Sequence, residues 1–335
     1  MQNNKRLSNI ELLRIVSMFL VMLFHVTDGA IPHKNLIIIN SPDDILRHFF
    51  VSLSIICVNI FILISGYFGI NFKIKGIIKL VFQVIFLSLV IYSFLCLTGY
   101  ATFNLKDIWH CTFGIFSMYW FVWAYILLYI FSPVLNAFAK NSSKKEISTF
   151  LISYYAFALY IYCTLKVDMV FYKGFHTLAF IGLYLLGRYI KIHNPKWATY
   201  TWKKDIGIYL ISGCLSFLLI MIMTNASFEK ELISQKYGNY ISPTTLISSV
   251  FFFLAFTKFR LESKIINYCA SSAFAAYILH QQFDARALYY DTIGTFYSSV
   301  PLYIFYPMII VVLILLFMAF IIIDKIRIYI YNLFF

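Results

Sequence analysis

The chain of 335 residues is 61% hydrophobic and 20% aromatic but only 12% charged, with a mean hydropathy of +0.81, and no water-soluble domain of this length carries such a balance. Apolar runs of membrane-spanning length recur from end to end, which excludes the weak, roughly ten-residue alternation of a transmembrane β-barrel. The net charge of +13 follows from basic residues gathered in short loops and calls for no nucleic acid partner.

The hydropathy predicts an all-α, polytopic membrane protein folded as a single domain, 1–335, with ten transmembrane helices. They fall at about 12–30, 46–68, 76–98, 119–138, 147–165, 175–192, 205–225, 244–260, 265–283 and 299–323. The ninth is short and rich in small residues. With the amino terminus inside, eighteen of the 27 basic residues, beginning with Lys5 and Arg6, fall in the inner segments and eight in the outer ones. That asymmetry predicts that both termini are cytoplasmic. Lys5 and Arg6 before an apolar run could mimic a secretory signal, but Glu11 and Arg14 interrupt it, so the segment reads as a span. The longest outer connections, near 31–45, 99–118, 224–243 and 284–298, are placed to cap an outward-facing cavity. The six cysteines show no Cys-x-x-Cys and no paired spacing, and read as small core hydrophobes. The histidines form no cluster with metal-ligand spacing, so no metal is expected.

The first span carries Glu11, Arg14 and His25 in an otherwise apolar run, and ionisable groups at such depth usually face a protein interior or a watery cavity. Arg14 and His25 are eleven positions apart, so about 20° apart around a helix and roughly 16 Å apart along it. Glu11, three residues before Arg14, is spaced for a local ion pair that would cheapen the guanidinium's burial. A guanidinium near the inner face suits phosphate recognition, and an imidazole deeper in suits proton abstraction or transient acyl transfer. The plainer alternative is that Arg14 snorkels to headgroups and His25 bonds to a neighbouring helix.

Further along, Ser65-Gly66 would admit a close backbone or a ligand, and Lys73, Lys75 and Lys79 could neutralise phosphates; helix packing and topology explain the same residues without a ligand. Tyr119-Trp-Phe-Val-Trp123 is either an interfacial aromatic belt or a sugar-stacking platform, and Pro133 in the same span could kink it and free backbone groups. The ninth span ends at His280, at nearly the depth of His25, so the two histidines could meet at one level.

Taken together, the Arg14-x10-His25 stripe, Phe61-Ile-Leu-Ile-Ser-Gly-Tyr67 with basic residues after it, Tyr119-Trp-Phe121 and Tyr277-Ile-Leu-His280 resemble the acyltransferase 3 family of integral membrane O-acyltransferases. The resemblance covers nearly the whole chain and includes the family's ten-helix layout. It implies that Arg14 and the basic residues Lys73, Lys75 and Lys79 engage acyl-CoA from the cytoplasm, with Ser65 and Gly66 in the same donor site, and that His25 carries the transfer chemistry, with Arg14 and Glu11 in the catalytic group. The lysines stand where arginines are frequent in the family, and they supply charge without the bidentate fork.

On this reading the protein is an acetyl-CoA-dependent O-acetyltransferase, with no bound cofactor, that modifies a surface or exported polysaccharide or its lipid-linked precursor. Tyr119, Trp120, Tyr277 and His280 would build the acceptor site. Its partners would be acyl-CoA, the carbohydrate acceptor and the bilayer, with polysaccharide-assembly proteins or a second copy of the chain as further associates. The expected location is a bacterial plasma membrane. The rival is a transporter or flippase of a lipid-linked saccharide or small anion, which would show internal repeats or broken helices.

Overall fold

The computed structural model describes residues 7–31, 42–164, 169–226, 228–236 and 238–334; Lys5, Arg6 and most of the connection 31–45 lie outside them. Every regular element among the described residues is helical, and each of the ten predicted spans falls on helix. In chain order these are α1 Ser8–His25, α2 Pro42–Ser54, α3 Cys57–Phe68, α4 Ile74–Leu97, α5 Leu105–Thr112, α6 Ile115–Met118, α7 Trp120–Asn141 and α8 Lys144–Thr164. There follow α9 Thr177–His193, α10 Trp202–Asn225, α11 Lys230–Lys236, α12 Pro243–Thr257, α13 Lys264–Ala270, α14 Ala273–Gln281, α15 Phe283–Ser299 and α16 Leu302–Phe334.

Seven helical stretches are long and apolar enough to cross a membrane unaided. The others depart from the simple picture in informative ways. The sixth and eighth predicted spans are helices of 17 and 15 residues. The ninth is two helices, α13 and α14, because the chain breaks at Ser271–Ser272, where the Ser271 hydroxyl donates to the Tyr268 carbonyl at 2.8 Å. Hydroxyls that bond the backbone locally offer it an alternative to the helical ladder. The segments read as outer connections at 99–118 and 284–298 are largely helical too, as α5, α6 and α15. Side-chain caps explain two of these starts: Asn104 accepts from the Lys106 N–H at 2.9 Å, and Gln282 Oε1 accepts from the Ala285 N–H at 2.9 Å.

The chain divides into two compact units that interleave in sequence. The first comprises residues 1–32, 73–123 and 263–335, and the second residues 33–72 and 124–262.

Within the first unit, α1 packs on α13 and α14, and α14 packs in turn on α4 and α16. At one end Ser8 and Ser263 are joined, the Ser263 N–H donating to the Ser8 hydroxyl at 3.0 Å. Near the same end of α16, buried Asp324 accepts from Arg327 Nε at 2.6 Å and from Gln83 of α4 at 3.3 Å. Lys325 Nζ meanwhile donates to the Tyr268 carbonyl at 2.6 Å and the Ser271 hydroxyl at 2.8 Å. Asp324 and Arg327 thus neutralise each other within α16, which is how a buried ion is tolerated, while Gln83 and the end of α13 tie Asp324 and Lys325 to neighbouring helices.

In the second unit, α3 packs on α9 and α12, and α10 packs on α12 and α2. Gly66 and Gly187 let α3 and α9 approach backbone to backbone: a Cβ on Gly187 would lie 2.7 Å from the Leu63 carbonyl oxygen, and one on Gly66 would collide with the Tyr184 carbonyl. Asn59 crosses to the other neighbour, donating to the Tyr240 carbonyl at 2.8 Å and to Ser249 at 3.1 Å. Fully buried Asp205 of α10 pairs with Lys258 at the end of α12. Pro133 inside α7 has no N–H for the Tyr129 carbonyl, and the buried Ser132 hydroxyl supplies the missing donor at 2.7 Å. None of the six cysteines forms a disulfide; Cys57 and Cys111 are core residues, whereas Cys163 and Cys214 are exposed, so the core reading fits only part of the set.

Candidate active site

The first helix does not end at His25. It widens into a π-helical turn, Val26–Ala30, closed by the Ile31 N–H donating to the Val26 carbonyl at 3.0 Å. Such single turns often mark functional sites because they re-aim the flanking side chains. Thr27 stabilises the widening by donating to the Leu23 carbonyl at 3.0 Å. Gly29 gives the room: a Cβ there would sit 2.5 Å from the Tyr290 hydroxyl of α15.

At that turn the two histidines expected at one depth meet. His25 Nδ1 and His280 Nε2 are 2.8 Å apart, with ring centroids 5.1 Å apart. The other ring nitrogen of His280, Nδ1, bonds to the Ala276 carbonyl of its own helix. A carbonyl oxygen only accepts, so His280 Nδ1 carries a proton. With His280 neutral, its Nε2 is then a lone pair, and His25 Nδ1 must donate to it. The opposite assignment makes His280 a cation that is only 2% exposed, with no carboxylate in contact among the described residues, and such a charge is costly. The neutral relay leaves His25 Nε2 as the ring nitrogen with its lone pair uncommitted, the state a general base requires. The Gln281 amide nitrogen lies 3.1 Å from His25 Nδ1; the two ends of an amide are nearly isosteric, and the relay turns the oxygen toward that N–H.

Aromatic side chains wall the pair. Tyr277 contacts the His280 ring at 6.4 Å between centroids and the Tyr119 ring at 5.8 Å, and Tyr289 contacts His280 at 5.4 Å. Tyr119 is fully buried and its hydroxyl is committed, donating to the Ile278 carbonyl at 3.0 Å and bonding Ser88 at 2.9 Å. It holds α4, α14 and the start of α7 together. Trp120 stands at the start of α7, its ring 6.0 Å from that of Phe121.

Arg14 lies toward the other end of α1, with its Nε buried and without a hydrogen-bond partner among the described residues. The ion pair with Glu11 that the spacing suggested does not form: no carboxylate of the described residues lies within 4 Å of the guanidinium. Glu11 instead occupies the first turn of α1, where the free N–H groups favour a carboxylate. Lys73, Lys75 and Lys79 are exposed at the start of α4 in the same unit, and Lys79 Nζ stands 5.6 Å from the Tyr331 ring centre.

Ser65 and Gly66 belong to the second unit, and their contacts there are internal. Ser65 donates to the Phe61 carbonyl at 2.8 Å and bonds the Tyr125 hydroxyl at 3.2 Å, while Gly66 abuts α9. Just beyond, Gly69 takes a φ of +76°, a conformation that favours glycine. The turn is clamped by Tyr184, whose hydroxyl accepts from the Ile70 N–H at 2.8 Å and donates to Asn136 Oδ1 at 2.8 Å, and by Asn136 Nδ2 donating to the Ile70 carbonyl at 2.9 Å.

Three features escaped sequence reasoning: Gln281 on the His25 ring, Tyr289, whose hydroxyl donates to the Met22 carbonyl at 3.3 Å, and an open cavity beyond the pair. That cavity, of about 490 Å³, is lined by residues of α5 and of the Gln282–Arg286 segment, among them Lys106, Asp107, His110 and Arg286. Gln282 directly follows the residue on His25. The only sequence signal was the two adjacent glutamines after His280. Among the described residues no three His, Cys, Asp or Glu side chains gather into a metal-binding group.

Residues 7–324 match a family model described as an acyltransferase domain, acyltransferase 3. No curated protein and no solved structure matches the chain.

Proposed function

Because the chain belongs to the acyltransferase 3 family of membrane acyltransferases, we propose that it transfers an acyl group, in the first instance acetyl, from a cytoplasmic acyl-CoA to a hydroxyl of a surface or exported polysaccharide or of its lipid-linked precursor, in a bacterial plasma membrane. The observation that carries this reading is the His25–His280 relay, which fixes the tautomer of His25 and leaves Nε2 as a base. The acceptor hydroxyl gives its proton to that nitrogen as its oxygen attacks the thioester carbonyl. The imidazolium then returns the proton to the departing thiolate. His280 is a positioning residue for His25.

With the amino terminus cytoplasmic, Arg14 and the Lys73, Lys75 and Lys79 group stand on the donor side. The buried, unpartnered Arg14 Nε is a donor suited to a phosphate. The long pantetheine arm of CoA suits the roughly 16 Å that separate Arg14 from His25 along α1. Ser65 and Gly66, being used within the second unit, would support the turn before Lys73 rather than touch the donor. Tyr277 and Tyr119 wall the reaction centre on the acceptor side, with Trp120 beside them.

The transporter reading retains one supporting observation, the interruptions between α2 and α3 and between α13 and α14. Thiol release decides between the two. Purified protein in nanodiscs, given acetyl-CoA and surface glycan from a deletion strain, is expected to release free CoA and leave O-acetyl groups on the glycan. Glycan or anion counterflow without thiol release would overturn the acyltransferase assignment.

A further inference from the structure

The chemistry at His25 needs a second group, because attack on a thioester carbonyl places a negative charge on the carbonyl oxygen and something must hold it. Arg14 is too far along α1 to do so, at roughly 16 Å, and His280 is engaged with His25 and Ala276. Arg286 is a cation that the fold brings to this end of the first unit, on the helix that packs on the histidines. It lies one helical turn before Tyr289 and Tyr290, on the same face of α15. That face packs on the histidines and the π-helical turn: Tyr289 contacts the His280 ring, and Tyr290 fills the space left by Gly29. Arg286 therefore stands on the side of α15 that faces the pair. No carboxylate among the described residues lies within 4 Å of its guanidinium. Phe283, with its ring centre 5.9 Å from the guanidinium carbon, supports the side chain without neutralising it.

The cavity explains why a charge is left open there. Arg286 lines the 490 Å³ space with Lys106, Asp107, His110, Gln282 and Asp284, a volume in the range of small-molecule sites. The segment that lines it begins one residue after Gln281, on the His25 ring.

We propose that this cavity admits the acceptor and that Arg286 is a catalytic residue whose guanidinium binds the oxyanion formed as the acceptor hydroxyl adds to the thioester. The inference rests on the acyl transfer proposed above. The new C–O bond forms as the hydroxyl proton passes to His25 Nε2. The carbonyl π electrons move onto the oxygen facing Arg286; collapse re-forms the carbonyl, breaks the C–S bond, and sends the proton to sulfur. Ester and free CoA thiol are the balanced products.

The test compares wild-type protein, Arg286→Ala and Arg286→Lys, inserted in nanodiscs, by thiol release at saturating and limiting substrate. Wild-type release establishes the transfer; its absence would defeat the underlying function and not this assignment alone. Given that activity, Arg286→Ala is expected to lose about 10²–10³-fold in kcat, with KM for acetyl-CoA and acceptor unchanged. Arg286→Lys should fall between the two. Guanidinium ion added to the medium should restore part of the Arg286→Ala rate, since the cavity is open to it. Unchanged kcat in the lysine or alanine protein, a loss confined to acceptor KM, or no response to guanidinium would overturn the proposal.

Discussion

Around Gly69 and Ile70 in the second unit, the backbone groups of the turn and the side chains that hold them are closed upon one another: Tyr184 serves both the Ile70 N–H and Asn136, and Asn136 returns to the Ile70 carbonyl. Around His25 in the first unit the same kinds of group are left partly open. The relay to Ala276 consumes one nitrogen of His25 and both of His280, and the cavity beside it gathers charges that form no ion pair with one another among the described residues. The first arrangement satisfies the backbone of the turn and holds it rigid. The second keeps capacity for a ligand, and the cost of that openness is the signature of a site. Both regions come from motifs that resemble the same family, so a motif's presence does not say whether its residues touch substrate or support the backbone.

The contrast breaks most sharply at His25. His25→Ala should lower thiol release by about 10³-fold or more, while His280→Ala, which removes only the orientation of the base, should cost about 10–10²-fold. Equal losses in the two proteins would mean that the pair acts symmetrically. The second unit should respond through stability. Gly66→Leu forces a side chain onto the α9 backbone, and overpacking of this kind costs about 1–3 kcal/mol or more; a lowered unfolding temperature in detergent, with activity per folded molecule retained, is the expected outcome. Tyr184→Phe leaves the Ile70 N–H and Asn136 Oδ1 without a partner, at about 1–3 kcal/mol. Unchanged unfolding in that variant would show the clamp to be dispensable.

The smallest expected effect concerns Cys111, beside the cavity. Burial pushes its thiol up to about 11, against a weaker opposing hydrogen bond from Gln282. At pH 8 it is therefore neutral, and a maleimide should label it slowly in the folded protein and fully after SDS. Rapid labelling would place Cys111 in a more open and polar setting.

Much of this architecture could be read from hydropathy, because a buried helix must be apolar over its whole length. The meeting of His25 and His280 was legible for a related reason: helical rise converts position in a span into depth. The interleaving of the two units was not, since nothing local in 73–123 announces that it folds with 263–335. Arg286 was missed because α15 is polar enough to pass for a connection, and its place became visible only through its partners Tyr289 and Tyr290. Gly66 was misleading in the opposite sense. A glycine that admits a ligand and one that admits a helix look alike until Gly187 is found opposite.

The proposed transfer turns on which nitrogens of two rings carry protons, and ring ¹⁵N chemical shifts in bilayers report that directly. With histidine labelled at both ring nitrogens, and the signals assigned by loss in His25→Asn and His280→Asn proteins, both residues are expected as neutral rings protonated at Nδ1. A His25 protonated at Nε2, or a His280 cation at neutral pH, would contradict the relay and remove the base from the proposed transfer.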